Sequence, residues 1–182
     1  MLSGVSLLPT TRRYLREKIH NLIMQQVTKN FLFAFLASIF IALLAQVAFE
    51  VAWSDTNIPI SGQTFAVLVV GMLLGKRWGA IAVLIYLLMG GMGLPVFANG
   101  GSGWETFGKG SAGFLYGFVI GAFVVGRLAE KGWDKSLLKC LLAMLIGTII
   151  IMAAGIIWLT YLYGWSKALE YGLYPFIPGA IV

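Results

Sequence analysis

GGMGLPVFANGGSGWETFGKGS, residues 90–111, is a long run set between two strongly apolar segments. Eight of its residues are glycine and one is Pro95, so the backbone is not expected to stay helical and can approach a bound molecule closely. Apolar Leu94, Val96, Phe97, Trp104 and Phe107 alternate with side chains that can hydrogen-bond: Asn99, Ser102, Glu105, Thr106 and Lys109. Such a lining suits a small ligand with an apolar body and polar edges. On composition alone a plain membrane-surface linker fits as well.

The rest of the chain decides what surrounds this loop. With 182 residues, 59% hydrophobic and 11% charged, and a mean hydropathy of +0.89, there is too little polar surface to wrap a water-soluble globule. The expected class is an all-α integral membrane protein. A single cysteine, Cys140, excludes an internal disulfide, and a single histidine, His20, leaves no cluster for a metal. No cofactor is expected. In so apolar a chain the net charge of +6 reads as membrane topology and not as a nucleic-acid surface.

Residues 1–30 lack the short apolar core and small-residue cleavage site of a secretory signal and are expected in the mature protein. From Leu15, helical spacing puts Leu15, Ile19 and Leu22 on one face and Arg13, Arg16, Glu17 and His20 on the other. This reads as a basic amphipathic N-terminal extension on anionic membrane lipid, or as a simple anchor. Residues 31–182 form the membrane domain. Residues 31–49 are uncharged and close to the ~20 needed to cross a bilayer. Along this first span Ala34, Ser38 and Ala42 recur every four residues, as do Ala37, Ile41 and Ala45, leaving a small-residue stripe for a close helix neighbour.

VAWSDTNIPISGQ, residues 51–63, is broken by Pro59 and Gly62 and carries Asp55, Asn57, Ser61 and Gln63, so it reads as a second ligand-facing loop. Residues 64–75 are apolar but too short to span unaided at about 1.5 Å per residue. Part of the preceding loop is therefore expected at membrane depth, where irregular backbone survives only if protein buries it or a cavity is lined. The basic turn Gly75-Lys76-Arg77-Trp78-Gly79 leads into a second short span, residues 80–89. Ser111 is the expected N-cap of a span over residues 112–125, and RLAEKGWDKSLLK is a charged loop. Residues 140–163 form a long span interrupted by Gly147 and Gly155. A last apolar helix starts at Ala180-Ile181-Val182, and the natural chain is expected to continue past it.

Alternating these spans puts Arg12, Arg13, Arg16, Lys18, Lys29, Lys76, Arg77, Arg127, Lys131, Lys135 and Lys139 on one side, and Lys109 and Lys167 on the other. The positive-inside rule then makes the N-terminus cytoplasmic and places the loops around Asn57, Asn99 and Lys167 outside the cell membrane. No Asp, Glu, Lys or Arg sits near the middle of a span, which disfavours autonomous pumping. GWETFGK, residues 103–109, has the glycine and lysine spacing of a phosphate-binding loop, but Gly110 replaces the hydroxyl that would ligand magnesium. No nucleophile, base and orienting acid group together, so an enzyme is disfavoured.

From about Gln46 to Gly179 the chain resembles the BioY family, the biotin-specific substrate-binding subunits of energy-coupling factor transporters. The resemblance is carried by GLPVFA at 93–98, ISGQTFAVL at 60–68, GFLYGF at 113–118 and PFIPG at 175–179. It implies a six-helix substrate-binding bundle, with the last helix cut short here, that binds biotin beneath three external loops and does no chemistry. It further implies docking through small residues of the first helix onto a membrane coupling subunit that carries two cytoplasmic ATP-binding-cassette ATPases. Ser38 and Ala42 match that docking motif, with serine in place of one alanine.

For biotin itself, Gln63 and Asn99 are assigned to the polar edges of the ureido ring, Phe97, Trp104 and Tyr116 to the apolar body, and Lys109 to the carboxylate, beside a helix N-terminus that favours an anion. The chain departs from the family twice. Lys109-Gly110-Ser111 stands where Gly-Pro-Thr is typical, and Ala180 stands where the family's closing motif has an acid. A related subunit for another vitamin, or a membrane scaffold without a small ligand, are the competing readings.

Overall fold

The structure, a computed structural model, describes residues 9–49 and 60–173. The expectations for Asp55, Asn57 and Pro59, for PFIPG and for a helix starting at Ala180 lie outside the described residues. Contacts divide the chain into two units, Met1–Phe33 and Ala34–Val182.

The boundary falls inside one helix, α1, Pro9–Ala45. The amphipathic segment and the first span, expected as separate elements, are therefore continuous. No glycine or proline interrupts residues 10–45, and Pro9 opens the helix where its missing N–H costs nothing. In the first unit the side chains from Arg13 to Lys29 are exposed on every face, Leu15, Ile19 and Leu22 included. Arg13 pairs with Glu17 at 3.2 Å, an exposed contact that contributes little.

In the second unit α1 ends at Ala45, four residues short of the expected end of the span. Gln46 and Val47 close its last turn by donating backbone N–H groups to the Leu43 and Leu44 carbonyls. Ala48 and Phe49 then pair with Ile60 and Ser61 in a two-residue antiparallel ladder. Ala34, Ser38, Ile41 and Ala45 are the buried face of this part of the helix, and the Ser38 hydroxyl donates to the Phe35 carbonyl and reaches Met89 Sδ at 3.7 Å.

The helical run α2, Gln63–Gly91, is broken at Gly75, whose φ of 76° and ψ of 178° suit glycine alone. There the chain turns back on itself. A Cβ on Gly79 would lie 2.8 Å from the Gly71 Cα, and Gln63 at the start of the run bonds to Tyr86 near its end. Residues 63–74 and 76–91 are thus two antiparallel arms of about 18 and 24 Å, as the turn Gly75–Gly79 led one to expect. Glu130 closes the turn from outside, accepting from the Lys76 backbone N–H at 3.1 Å and pairing with Lys76 Nζ at 3.0 Å.

Helix α3, Ala112–Glu130, and helix α4, Leu137–Tyr163, complete the bundle, and α5, Trp165–Gly172, folds back on α4. α3 runs past Val125, so Arg127 and Glu130 belong to a helix and not to the charged loop. Ser111 does not cap it: at φ −73° and ψ −12° it is already helical, whereas a capping side chain needs extended backbone. Neither Gly147 nor Gly155 interrupts α4. They are contact points, Gly147 against Leu68 and Val125 and Gly155 against the Phe114 ring. Gly117 meets Ile151, and Gly126 meets the backbone of Gly75 and Lys76. Close packing of this kind replaces the hydrophobic effect where the solvent is lipid. Among the described residues α1, α3 and α4 are each long and apolar enough to cross a membrane, while the apolar α2 run enters it as the two arms of a hairpin.

Replacing Gly126 with valine should force α3 away from the hairpin turn, at a cost of about 1–3 kcal/mol for overpacking. The expected outcome is a lowered thermal midpoint of the detergent-purified protein.

Candidate ligand-binding site

All the long helices of the second unit converge on the glycine-rich loop. After α2 the chain makes two short 3₁₀ turns, Ala98–Gly100 and Trp104–Gly108, so the loop is not featureless as its composition suggested. Its backbone carries polar groups that helix geometry no longer satisfies. Side chains supply the missing donors. Gln46, one residue past α1, donates to the Phe97 carbonyl at 3.2 Å and to that of Pro95 at 3.5 Å. The Tyr86 hydroxyl of α2 donates to Val96 at 3.2 Å, the Tyr116 hydroxyl of α3 to Phe107 at 2.9 Å, and the Trp158 indole of α4 to Lys109 at 2.9 Å.

Tyr86 also links the loop to the preceding one. Ser61 Oγ donates to the Gln63 amide oxygen at 2.8 Å, the Gln63 amide nitrogen donates to the Tyr86 hydroxyl, and that hydroxyl donates to Val96. Gln63 is 7% exposed and Tyr86 fully buried, so for these two the bonds of the relay replace water that cannot reach them.

Aromatic rings run beside these bonds. Phe97, 3% exposed, lies on Gly90, where any side chain would strike its ring. It meets Tyr86 edge-on at 5.6 Å and Phe107 edge-on at 5.9 Å. Phe107 then meets Trp104 at 5.5 Å and Tyr116 at 6.1 Å, and Tyr116 meets Trp158 at 5.5 Å. These separations fall in the range for favourable ring pairs.

The residues assigned to the ligand from sequence therefore fall in three places. Gln63 and Phe97 are inside, joined through Tyr86. Trp104 is 61% exposed and rests on Gly91, and Tyr116 is 42% exposed. Asn99 and Lys109 are exposed on the loop surface. Asn99 holds a φ of 56°, a left-handed conformation asparagine tolerates better than most residues. The Lys109 carbonyl also accepts the Ala112 N–H at 3.1 Å and the Ser111 carbonyl the Phe114 N–H at 3.1 Å, so backbone, not the Ser111 side chain, anchors the start of α3.

Gln46, Tyr86 and Trp158 were not singled out from sequence, and Phe107 was counted only among the loop's apolar residues. The available signals were weak: a lone phenol among the apolar residues of the second α2 arm, and an amide directly after the first span. Tyr116 and Trp158 also line an apolar groove of about 490 Å³ with Gly113, Ala154, Ile157 and Tyr161. The polar tips of Tyr116 and Trp158 are bonded to loop carbonyls, which leaves the Tyr161 hydroxyl as the groove's other polar tip on an otherwise apolar lining. Among the described residues no group of His, Cys, Asp or Glu could hold a metal.

A multi-pass helical membrane protein whose long helices brace one irregular loop is the class these features define. The chain belongs to the BioY family, whose model matches residues 15–182. It is 40% identical over 134 residues to a biotin transporter BioY of Rhizobium etli, covering 69% of this chain and 71% of that one. It is 40% identical over 121 residues to a biotin transporter BioY of Thermotoga maritima, covering 66% and 70%. A solved structure of the S-component for biotin from an ECF-type ABC transporter matches with a TM-score of 0.70 and 26% identity, over 85% of this chain and 84% of that one.

Tyr86→Phe removes the hydroxyl at the centre of the buried relay and leaves the Gln63 amide and the Val96 carbonyl each short of a partner. It should cost about 1–3 kcal/mol of stability. Tyr116→Phe, at a site water can reach, should cost clearly less. Thermal midpoints of the two variants compared with the parent protein check the order.

Proposed function

We propose that this chain is the biotin-binding membrane subunit of a vitamin uptake transporter, energised by a separate coupling module, and is not an enzyme. The observation that carries this reading is family membership over residues 15–182, supported by similarity to proteins named biotin transporters and to an S-component for biotin. The site is the glycine-rich loop and the helix ends that brace it. Gln63, Phe97, Asn99, Trp104, Lys109 and Tyr116 remain the assigned contacts. Of these Gln63 and Phe97 act from within, shaping the floor, while Asn99, Trp104 and Lys109 are accessible from the loop side.

The turn at Gly75, the last turn of α3 and the residues after it carry Lys76, Arg77, Arg127, Lys131 and Lys135, so that end of the bundle is assigned to the cytoplasm and the glycine-rich loop to the outside. The coupling partner is a membrane subunit bearing two cytoplasmic ATP-binding-cassette ATPases, docked along the small residues of α1. Ser38 is fully buried and reaches Met89, so it faces the bundle and not a partner, and Ala42, which is only partly buried, is the contact. Residues 1–30 serve as a basic extension on anionic lipid, and residues 31–182 as the substrate-binding domain.

Lys109→Ala should weaken biotin by roughly 1.5–3 kcal/mol, about 10- to 150-fold in Kd, as expected for a hydrogen bond to a charged group. Biotin amide, which lacks the charge, should lose far less. Calorimetry on parent and variant with both ligands decides it, and equal losses would show that Lys109 does not pair with the carboxylate. Ala42→Trp should leave biotin binding intact while ATP-driven uptake fails in vesicles containing the coupling subunits. Unchanged uptake would remove the docking assignment.

A further inference from the structure

The side-chain nitrogen of Gln46 lies 3.2 Å from the Phe97 carbonyl, 3.3 Å from the Ala42 carbonyl and 3.5 Å from the Pro95 carbonyl. Three carbonyl oxygens around one terminal atom assign it as nitrogen, because an amide oxygen there would face only acceptors. Two hydrogens serve three carbonyls, so Ala42 and Phe97 hold the shorter bonds and Pro95 shares. Ala42 belongs to the last turn of α1, where carbonyls have no partner within the helix. One amide thus ties the end of α1 to the loop.

The carbonyl between those of Pro95 and Phe97 is held by Tyr86. Three successive loop carbonyls are therefore fixed from two helices, under unequal conditions. Tyr86 is fully buried, and breaking its bond strands polar groups away from water. Gln46 is exposed, so water can replace its exposed bonds to Ala42 and Pro95, and only its bond to Phe97 is part-buried. The segment is easier to open on its α1 edge than on its α2 edge.

We infer that Gln46 is a positioning residue that latches residues 95–97 over the ligand site, and that the loop opens for ligand exchange by releasing Gln46 while Tyr86 holds. The ligand arm of this inference rests on the biotin reading above. The latch itself does not. Because the same amide bonds the Ala42 carbonyl, any partner pressing on α1 at Ala42 acts directly on the latch.

The test uses the purified full chain and the variants Gln46→Leu and Gln46→Glu, the latter nearly isosteric but without a donor. In ligand-free protein, hydrogen exchange over residues 94–101, which include the Phe97 N–H bonded to Gly101 and the Gly101 N–H bonded to Ala98, should speed about 3- to 10-fold in Gln46→Leu, as for loss of one net hydrogen bond. Gln46→Glu should exchange at least as fast, and α3 and α4 should be unchanged. Biotin release should speed by a similar factor, with association altered less than about twofold. Parental exchange in Gln46→Glu would overturn the latch, and so would an equal speeding in α3 and α4, which marks general loosening. If the parent protein binds no biotin in equilibrium dialysis, the biotin reading fails, while the exchange arm still decides the latch.

Discussion

The structure depends on satisfying the carbonyls of one irregular loop. Backbone that leaves helix geometry at the end of a membrane bundle must find partners in the protein wherever water is excluded. Here the partners are side chains, one from each long helix or its immediate end: Gln46 after α1, Tyr86 on α2, Tyr116 on α3 and Trp158 on α4. Each bond crosses from a rigid element to the loop. The loop is therefore held by the bundle as a whole, and the bundle is in turn cross-braced by the loop, an arrangement that positions a ligand more sharply than a linker could.

The glycines serve both ends of this construction. Gly75 lets the chain reverse inside one helical run, which brings Gln63 and Tyr86 together. Gly90 leaves room for the Phe97 ring, and Gly113, Gly117 and Gly121 let α3 lie close to α4. Without these close approaches the tips of Tyr116 and Trp158 would not reach the loop.

Much of the architecture was legible because it is written in local signals. Pro95 and eight glycines announced the loop, the basic turn at Gly75 announced the hairpin, and the run to Tyr163 announced α4. The errors have physical causes. Helix α1 continues through Asn30 because nothing there breaks it, and a change from polar to apolar faces alters a helix's surroundings without ending it. Ser111 failed as a cap because its backbone is already helical, which its identity cannot reveal. Gly147 and Gly155 were read as interruptions, yet in lipid a glycine in a helix is more often a contact point. The candidate site was half legible: Phe97 and Gln63 could be named from the motifs, but their link runs through Tyr86, and the donors Gln46 and Trp158 meet the loop across 51 and 49 residues of sequence. Such pairings exist only once the helices are packed.

The account's central claim is that the braced loop at residues 90–111 is where biotin binds. The most direct measurement is hydrogen exchange of the detergent-purified protein with and without saturating biotin, followed along the whole chain. The account requires strong protection of this loop on adding biotin and none on adding a chemically unrelated vitamin such as riboflavin. Protection by biotin that spares residues 90–111, or equal protection by both vitamins, would contradict it.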